Sequence, residues 1–367
     1  MKPKRIVFLC LSLLLVCLST SFAFNTDDVQ ETGEFSNYEE MRQHIGELYQ
    51  QKNYQEAADL LELALDRFPD HILANTYNLS LMYTHLTEYT KSTQALLSGL
   101  EHDIFYSKYA FVGKIWAPLK ETSAFKKFKE QNEAMRIEAQ KKAKPEILVL
   151  KPEGFSASEK YPLFIALHGG GGNIAGFKNN WSSSKLKKDF ITAYLQSSQV
   201  IAMDGYNWTE DIELTKKEID AAYKKIVKDY PIDTQNILIG GFSSGGVAAL
   251  KVILDSTIPA GGFVVLCPAR PQGFSVDRVK MAKMRGVRGT LLTTEMDPRL
   301  SDQKKMAEMF KTEEFPLQFI ITPNIGHWFP EDIDNKIDSA IDFIQRKERR
   351  NKRNQTPFWQ FPIQKRG

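Results

Sequence analysis

The sequence predicts an α/β fold, in which a mostly parallel sheet with helices on both faces follows an all-helical N-terminal domain. Two observations lead to this prediction. Apolar runs alternate with amphipathic stretches over residues 145–346, as buried parallel strands and their crossover helices do. Residues 38–140 show no strand-like alternation and contain only two prolines. The length of 367 residues also favours two cores over one.

The N-terminal residues 1–23 have the three-part pattern of a secretory signal peptide. Lys2, Lys4 and Arg5 precede the apolar run IVFLCLSLLLVCL, and small residues follow it at Ser21 and Ala23. The alternative is a retained N-terminal anchor, although the apolar run is short for a membrane span. We therefore expect an exported protein, periplasmic or extracellular, with no membrane span after signal cleavage.

Charge and cysteine content exclude several classes of partner and site. Three of the 48 Lys and Arg residues lie in the predicted signal, which leaves 45 to balance the 45 Asp and Glu residues. A neutral mature chain gives no electrostatic case for nucleic acid or an anionic membrane as partner. Cys267 is the one cysteine left after cleavage, so we expect neither a disulfide nor a cysteine-based metal site.

Residues 38–140 contain two similar helical segments. YQEAADLLELALDRFPDH begins at Tyr54 and YTKSTQALLSGLEHD begins at Tyr89, and each follows another helical stretch. The two segments begin 35 residues apart, and a helix pair that recurs at about 34 residues resembles the tetratricopeptide repeat. The second copy has serine and glycine where that repeat has alanines. A plain helical bundle is the alternative. Helical repeats present a concave surface, which suits a protein or peptide partner or the substrate.

Composition changes near residue 145, where strand-like runs begin. The candidate strands are residues 147–150, 162–167, 200–203, 237–240, 262–267, 289–294 and 317–322. Most are continuously apolar, as strands buried on both faces of a parallel sheet are. The tail, residues 347–367, is basic and then aromatic. We interpret it as a poorly ordered terminus; a partner-binding segment is the alternative.

The stretch ILIGGFSSGG, residues 237–246, runs from an apolar strand into a turn of small residues. A nucleophile at the tip of a strand-to-helix turn lies where the strand and the helix approach closely. The residue two positions before it and the residue two positions after it must therefore have almost no side chain. Gly241 and Gly245 meet this requirement for Ser243, whereas Ser244 would require Phe242 to be small. Ser243 is therefore the predicted nucleophile.

A serine nucleophile needs a base, and the base needs a carboxylate to orient it. Beyond residue 102 the sequence holds only His168 and His327. His327 follows the last predicted strand, where the base belongs in this architecture, and the acid is expected after the preceding strand. Glu295 and Asp297 both occur there. We favour Asp297 because it lies further past the strand end.

The glycines of LHGGGGN, residues 167–173, predict an oxyanion hole. Backbone amides aimed at the former carbonyl oxygen stabilise a tetrahedral intermediate, and glycines allow the main chain to approach it. We expect the donors to come from Gly169, Gly170 and the amide of Ser244. A phosphate-binding loop is excluded, because no lysine followed by serine or threonine comes after the glycines.

Residues 145–346 resemble the α/β-hydrolase superfamily. LHGGGGN, DYPIDTQNILIGGFSSGG and GHWFP together resemble its phospholipase/carboxylesterase type, which is related to feruloyl-esterase-like and polyhydroxybutyrate-depolymerase-like proteins. The resemblance implies Ser243 as nucleophile, His327 as base and Asp297 as acid, with the glycines after His168 as the oxyanion loop. TTEMDP departs from the family pattern, because it lacks the glycine that usually opens the acid loop.

These residues predict a secreted serine esterase that acts through an acyl-enzyme, without metal or organic cofactor. The segment after Pro268 is too short for a large lid, so we expect an open, shallow site for small or polymer-linked esters. Tyr206 and Trp208 follow a predicted strand end and are candidates to line the leaving-group side; packing alone is the alternative. The competing functions are a serine peptidase of the prolyl-oligopeptidase type and an inert partner-binding protein.

Overall fold

The computed structural model describes residues 35–346. The predicted signal peptide and the basic tail lie outside the described residues. Within the part of the chain that is described, no helix combines the length and the hydropathy that a membrane span needs.

The N-terminal part of the fold is helical, as predicted. Its α-helices are α1 (Tyr38–Gln50), α2 (Tyr54–Arg67), α3 (Ile72–His85), α4 (Tyr89–Glu101), α5 (Ala117–Glu121) and α6 (Ser123–Lys142). Side-chain caps start the first and last of them: Asn37 accepts the amide of Glu40, and Thr122 accepts that of Phe125. Helices α1 to α4 form two successive hairpins that bury apolar faces against each other. The helix spacing agrees with the predicted repeat, whose identity stays a prediction.

The C-terminal part is built on a mixed but mostly parallel sheet. Its strands are β1 (Glu146–Leu150), β2 (Tyr161–Leu167), β3 (Ile191–Gln196), β6 (Ile232–Phe242), β7 (Gly262–Leu266), β8 (Arg288–Thr294) and β9 (Leu317–Thr322). They lie in the order β1-β3-β2-β6-β7-β8-β9, and in this sheet the edge strand β1 alone runs antiparallel to its neighbour. The predicted fold class is confirmed.

Helices cover both faces of this sheet. They are α7 (Ile174–Asn180), α8 (Ser184–Asp189), α9 (Ile212–Asp229), α10 (Ser244–Asp255), α11 (Val276–Met284), α12 (Leu300–Thr312) and α13 (Ile333–Gln345). Apolar side chains of α9, α10, α11 and α12 share one buried cluster with the sheet, and those of α7, α8 and α13 share the other. The strands are buried between the helices on the two faces of the sheet, which explains why most strand sequences are unbroken apolar runs.

One strand assignment from the sequence is wrong. The sequence predicts residues 200–203 in the main sheet, but within residues 35–346 β4 (Gln199–Ala202) pairs with β5 (Gly205–Asn207) in a separate hairpin. The main sheet instead contains β3, which the pattern did not identify. Strands β3 and β4 are separated by Ser197 and Ser198 alone, and local composition does not determine which of them pairs with β2.

The helical part is fixed to the sheet part by backbone-directed hydrogen bonds. The Met203 amide donates to the Phe105 carbonyl at 3.0 Å. The Gln140 side chain accepts from the Val200 amide at 2.9 Å and donates to the Ser198 carbonyl at 2.8 Å. These bonds connect α6 and the loop after α4 to β4. The proposed division into domains at residues 38–140 and 145–346 stays a prediction; α6 ends at Lys142 and β1 begins at Glu146.

Candidate active site

Ser243 lies at the tip of the turn between β6 and α10, in a strained backbone conformation. Its φ is 52° and its ψ is −113°, a region that residues with a side chain rarely occupy and that costs of order 1–3 kcal/mol. The Ser243 amide donates to the Leu266 carbonyl at 2.8 Å, which ties the turn to the neighbouring strand. The turn therefore holds the hydroxyl out above the carboxyl ends of the strands.

The glycines around Ser243 are required by close backbone contacts. A Cβ on Gly241 would lie 2.6 Å from the Leu167 carbonyl oxygen, and a Cβ on Gly245 would lie 2.3 Å from the same atom. Both distances are far inside van der Waals contact, and the obstacle is backbone that has little freedom to move. The small residues in this stretch are therefore explained by the packing of β6 and α10 against β2.

The structure brings Ser243, His327 and Asp297 into one hydrogen-bonded series. Asp297 Oδ2 accepts from His327 Nδ1 at 2.6 Å, and the Ser243 hydroxyl donates to His327 Nε2 at 2.9 Å. Because a carboxylate only accepts, the proton on the imidazole lies at Nδ1, which leaves Nε2 free to take the serine proton. The aromatic ring of Phe242 lies against the imidazole, with the ring centroids 5.0 Å apart.

Asp297, rather than Glu295, is the carboxylate that contacts His327. Asp297 is buried at 4% exposure, and its Oδ1 accepts the Arg299 amide at 2.7 Å. Burial raises the pKa of this carboxyl. The hydrogen bond from His327, the charge that His327 carries when it is protonated, and hydrogen bonds from the Cys267 thiol and the Arg299 amide outweigh burial and hold the pKa below its ordinary value. Glu295 is exposed and accepts the Asn324 amide at 3.1 Å. Asp297 is therefore ionised at neutral pH and lies where it can fix the orientation of the His327 imidazole.

The predicted oxyanion loop lies beside the elbow. A Cβ on Gly170 would be 3.4 Å from Ser244 Oγ, so the main chain of this glycine faces the start of α10. The Gly171 amide is already used, since it donates to the Tyr206 carbonyl at 2.8 Å. The Ser244 amide lies at the N-terminus of α10, where helical amides point outward without intrahelical partners. Gly169 and Gly170 on one side and Ser244 on the other can thus supply amides to one oxygen.

The side chain of His168 hydrogen-bonds to the backbone of this loop. It is fully buried, donates from Nδ1 to the Gly169 carbonyl at 2.7 Å and accepts the Ser197 amide at Nε2, at 3.3 Å. Burial lowers its pKa to about 4, so the imidazole is neutral near pH 7. This histidine has a structural role in the described geometry.

Two further residues at the site were missed by sequence reasoning. One guanidinium nitrogen of Arg299 lies 3.1 Å from His327 Nε2, so a cation borders the imidazole. The Cys267 thiol comes within 4.8 Å of both the Asp297 carboxylate and the His327 imidazole. Burial and the Asp297 charge raise the pKa of this thiol, so it stays protonated and suits a hydrogen bond to Asp297 better than a metal ligand. Neither position follows a recognisable motif.

A cavity of about 1030 Å³ opens in front of Ser243. The sheet part contributes its floor, with Ser243, Ser244, Gly170 and Arg299 among the lining residues. The helical part contributes a wall from α1, α3 and the loop after α4. The expectation of an open, shallow site is therefore wrong. The segment from Pro268 to β8 is short, as predicted, but the N-terminal helices cover the site in place of a lid.

The prediction that Tyr206 and Trp208 line the substrate site also fails. Taken over the described residues, the cavity lining includes Asn207 and Thr209 but neither aromatic residue. Trp208 is 1% exposed within the main core cluster, and its ring packs 5.1 Å from that of His168. Trp208 directly follows β5, and because successive side chains of an extended chain point in opposite directions, it points away from Asn207 and into the core.

No protein-family model matches the chain, and no curated protein matches it in sequence. Among solved structures, it is similar to an uncharacterized protein from Bacillus cereus, at 22% identity and a TM-score of 0.47, over 84% of this chain and 98% of that one. It is also similar to a feruloyl esterase module from Clostridium thermocellum, at 16% identity and a TM-score of 0.44, over 54% and 83% of the two chains. A phospholipase/carboxylesterase from Dyadobacter fermentans matches at 14% identity and a TM-score of 0.39, over 54% and 97%. At these identities and TM-scores the likenesses carry no argument about activity, which has to rest on the geometry of the site.

Proposed function

We propose that this protein is a serine hydrolase that cleaves carboxylic esters through an acyl-enzyme intermediate. The observation that carries the proposal is the hydrogen-bonded series from Ser243 through His327 to Asp297, which begins at a strained elbow and faces a cavity. A hydroxyl held in this way has a base within reach, and the base has a buried carboxylate to fix its tautomer.

The reaction follows from these positions. Ser243 Oγ attacks the carbonyl carbon of the ester while its proton passes to His327 Nε2. The negative charge that forms on the carbonyl oxygen is met by the amide of Ser244 and by an amide of the Gly169–Gly170 segment, each worth roughly 3 kcal/mol of barrier. The imidazolium, stabilised by Asp297, returns the proton to the leaving alkoxide, and the alcohol departs.

A water molecule then attacks the acyl-enzyme through the same series of proton transfers. His327 takes a proton from the water, which attacks the acyl carbon, and the same proton is returned to Ser243 Oγ as the acyl bond breaks. The products are a carboxylic acid and an alcohol, and the serine is regenerated. Each step uses side chains and amides of this chain.

Export is the second part of the proposal and rests on the sequence pattern of residues 1–23 alone. N-terminal sequencing of the protein recovered from the periplasm or medium is expected to begin shortly after Ala23. Recovery of the full-length chain from the cytoplasm would contradict export without touching the catalytic proposal.

Hydrolysis of p-nitrophenyl acetate by purified protein tests the catalytic proposal. We expect turnover by the wild type and a loss of roughly 10³-fold or more in kcat with Ser243→Ala, since the serine, base and acid act as a unit. Ser301→Ala, which removes an exposed hydroxyl on α12, is the control and should match the wild type. Wild-type activity in Ser243→Ala would overturn the assignment, and a preference for peptide anilides over esters would favour a peptidase.

A further inference from the structure

We propose that Arg299 binds a carboxylate on the substrate, close to the scissile ester. The substrate is then either a half-ester of a dicarboxylic acid, with the charge on the acyl side, or an ester of a hydroxy acid, with the charge on the alcohol side. The proposal rests on the proposed esterase function and deepens it by naming the substrate class.

The Arg299 guanidinium lies beside the groups that react. One of its nitrogens is 3.1 Å from His327 Nε2, which also accepts the Ser243 hydroxyl at 2.9 Å. Arg299 is partly exposed and lines the same cavity as Ser243, so a ligand in front of the nucleophile can reach the guanidinium. A group bound there is only a few bonds from the carbon that Ser243 attacks.

The Arg299 guanidinium has no carboxylate partner within residues 35–346. Its side-chain hydrogen bonds in this range go to the His327 imidazole. Asp297 accepts the backbone amide of Arg299 and the Nδ1 proton of His327, and neither of these bonds uses the guanidinium. A guanidinium offers five donors in a planar fork that matches the two oxygens of a carboxylate. The unused donors of Arg299 are therefore suited to a bound carboxylate.

The charges that line the cavity favour an anion. Among the described residues, the charged ones in the lining are Glu39, Arg42, Arg270 and Arg299. Glu39 accepts from the Arg42 guanidinium at 2.8 Å, so these two charges balance. Arg270 donates to the Phe274 carbonyl at 3.1 Å, which leaves its charge unbalanced. The lining is therefore positively charged overall, and a cleft with one sign of charge attracts ligands of the opposite sign.

A substrate carboxylate would also free the base. Nε2 of the imidazole has one lone pair, and the Arg299 guanidinium competes with the Ser243 hydroxyl for it. A neighbouring positive charge also disfavours the imidazolium that forms when His327 takes the serine proton. A carboxylate that pairs with Arg299 removes the competition and neutralises this charge. The anionic group of the substrate therefore aids catalysis as well as binding.

Two matched pairs of esters test the proposal, and within each pair a carboxylate is compared with the neutral carboxamide. Monomethyl succinate and methyl succinamate differ on the acyl side. Acetoxyacetate and acetoxyacetamide differ on the alcohol side. Liquid chromatography measures the products. We expect the wild type to prefer the carboxylate member by roughly tenfold or more in kcat/KM in one pair, as a charge-assisted hydrogen bond allows, and that pair identifies the side that carries the charge.

Variants of Arg299 separate the carboxylate site from general effects on the triad. Because Arg299 also contacts His327, each variant is judged by its carboxylate-to-carboxamide ratio, in which a common effect on the triad cancels. Arg299→Gln should bring this ratio to within about twofold of one. Arg299→Lys keeps the charge and should hold the ratio about threefold or more above that of Arg299→Gln. Lys304→Gln removes a charge at an exposed position of α12 outside the cavity lining and should keep the wild-type ratio.

The salt dependence of the wild type carries the test if Arg299→Gln does not fold. Raising NaCl from about 20 mM to about 500 mM should lower the carboxylate-to-carboxamide ratio by about threefold or more, because salt screens a partly exposed ion pair. The rate with p-nitrophenyl acetate, measured at both salt concentrations, is the control for general effects of salt on the enzyme. A ratio that does not change with salt would contradict the ion pair.

The outcomes distinguish the substrate class from the esterase function. Hydrolysis of p-nitrophenyl acetate without a carboxylate preference in either pair would overturn the Arg299 site and leave the esterase standing. So would a preference that persists in Arg299→Gln, or an Arg299→Lys ratio no higher than that of Arg299→Gln. No hydrolysis of any ester by folded wild-type protein would overturn the esterase, and the substrate class with it.

Discussion

Ser243 illustrates how a single residue links local strain to chemistry. Its backbone conformation is unfavourable, and it persists because the glycines at 241 and 245 allow β6 and α10 to close on β2. The sequence predicted Ser243, His327 and Asp297 because each follows a strand end in a known order. It did not predict Arg299 or Cys267, since their contacts depend on loop paths that no local pattern specifies.

The identity of the acid can be tested directly. Asp297→Asn is expected to lower kcat/KM by roughly 10³–10⁴-fold, because the amide no longer fixes the imidazole with its proton on Nδ1. Glu295→Gln is the matched control: this carboxylate is exposed, and we expect less than a threefold change. Steady-state kinetics on p-nitrophenyl acetate measure both. Equal losses in the two variants would contradict the assignment of Asp297.

The lowered pKa of Asp297 also predicts a pH dependence of stability. A carboxyl with a folded-state pKa below its unfolded value stabilises the fold above the unfolded pKa, and this contribution is lost as pH falls through the folded pKa. The difference in unfolding free energy between wild type and Asp297→Asn should therefore narrow below about pH 4. Urea denaturation at pH 5, 4, 3 and 2 measures it. A difference that stays constant over this range would show that the carboxylate gains nothing from its native partners.

At the scale of elements, the elbow depends on contact between α10 and the carboxyl end of β2. Gly245→Ala would place a Cβ 2.3 Å from the Leu167 carbonyl and 2.4 Å from that of His168. Overpacking typically costs 1–3 kcal/mol, and because the clash is with backbone we expect about 3 kcal/mol or more. Gly261→Ala, where a Cβ meets nothing within 4 Å, should change stability by less than about 0.5 kcal/mol. Thermal unfolding measures the stability of both variants. Similar melting temperatures for Gly245→Ala and Gly261→Ala would show that Gly245 is not required by close packing of α10 against β2.

The elements differ in how well the sequence predicted them. Strands β2, β7, β8 and β9 are long apolar runs in turn-bounded segments, and their positions agree with the prediction within a residue or two. The assignment failed at β3 and β4, where two apolar runs lie within a few residues of each other. Both satisfy the same local pattern, and pairing with β1 and β2 distinguishes them. Tertiary pairing of this kind is invisible to periodicity.

At the scale of the whole molecule, the contact between helices and sheet is the feature that sequence reasoning did not anticipate. Each part was predicted separately, but the wall that α1 and α3 contribute to the cavity depends on how the parts are joined. Hydrogen bonds from Gln140 to the backbone of Ser198 and Val200, and from the Met203 amide to the Phe105 carbonyl, hold that orientation. No sequence motif predicts these bonds. The site therefore belongs to both parts of the chain.

Gln140 is the natural place to test this junction. Gln140→Ala removes its bonds to the Val200 amide and the Ser198 carbonyl, and leaving buried backbone groups unpaired costs about 1–3 kcal/mol. Gln131→Ala, an exposed glutamine on the same helix, should be near neutral. Chemical denaturation gives both free energies. Equal stability of the two variants would mean that Gln140 does not hold the helices against the sheet.

The central claim, that Ser243 is an activated nucleophile, is tested most directly by covalent labelling. Folded wild-type protein is treated with a fluorophosphonate, and the modified peptide is identified by mass spectrometry. We expect one adduct, on Ser243, with labelling slowed at least a hundredfold in His327→Ala. Folded protein that remains unlabelled, or that carries its adduct on another residue, would contradict the account.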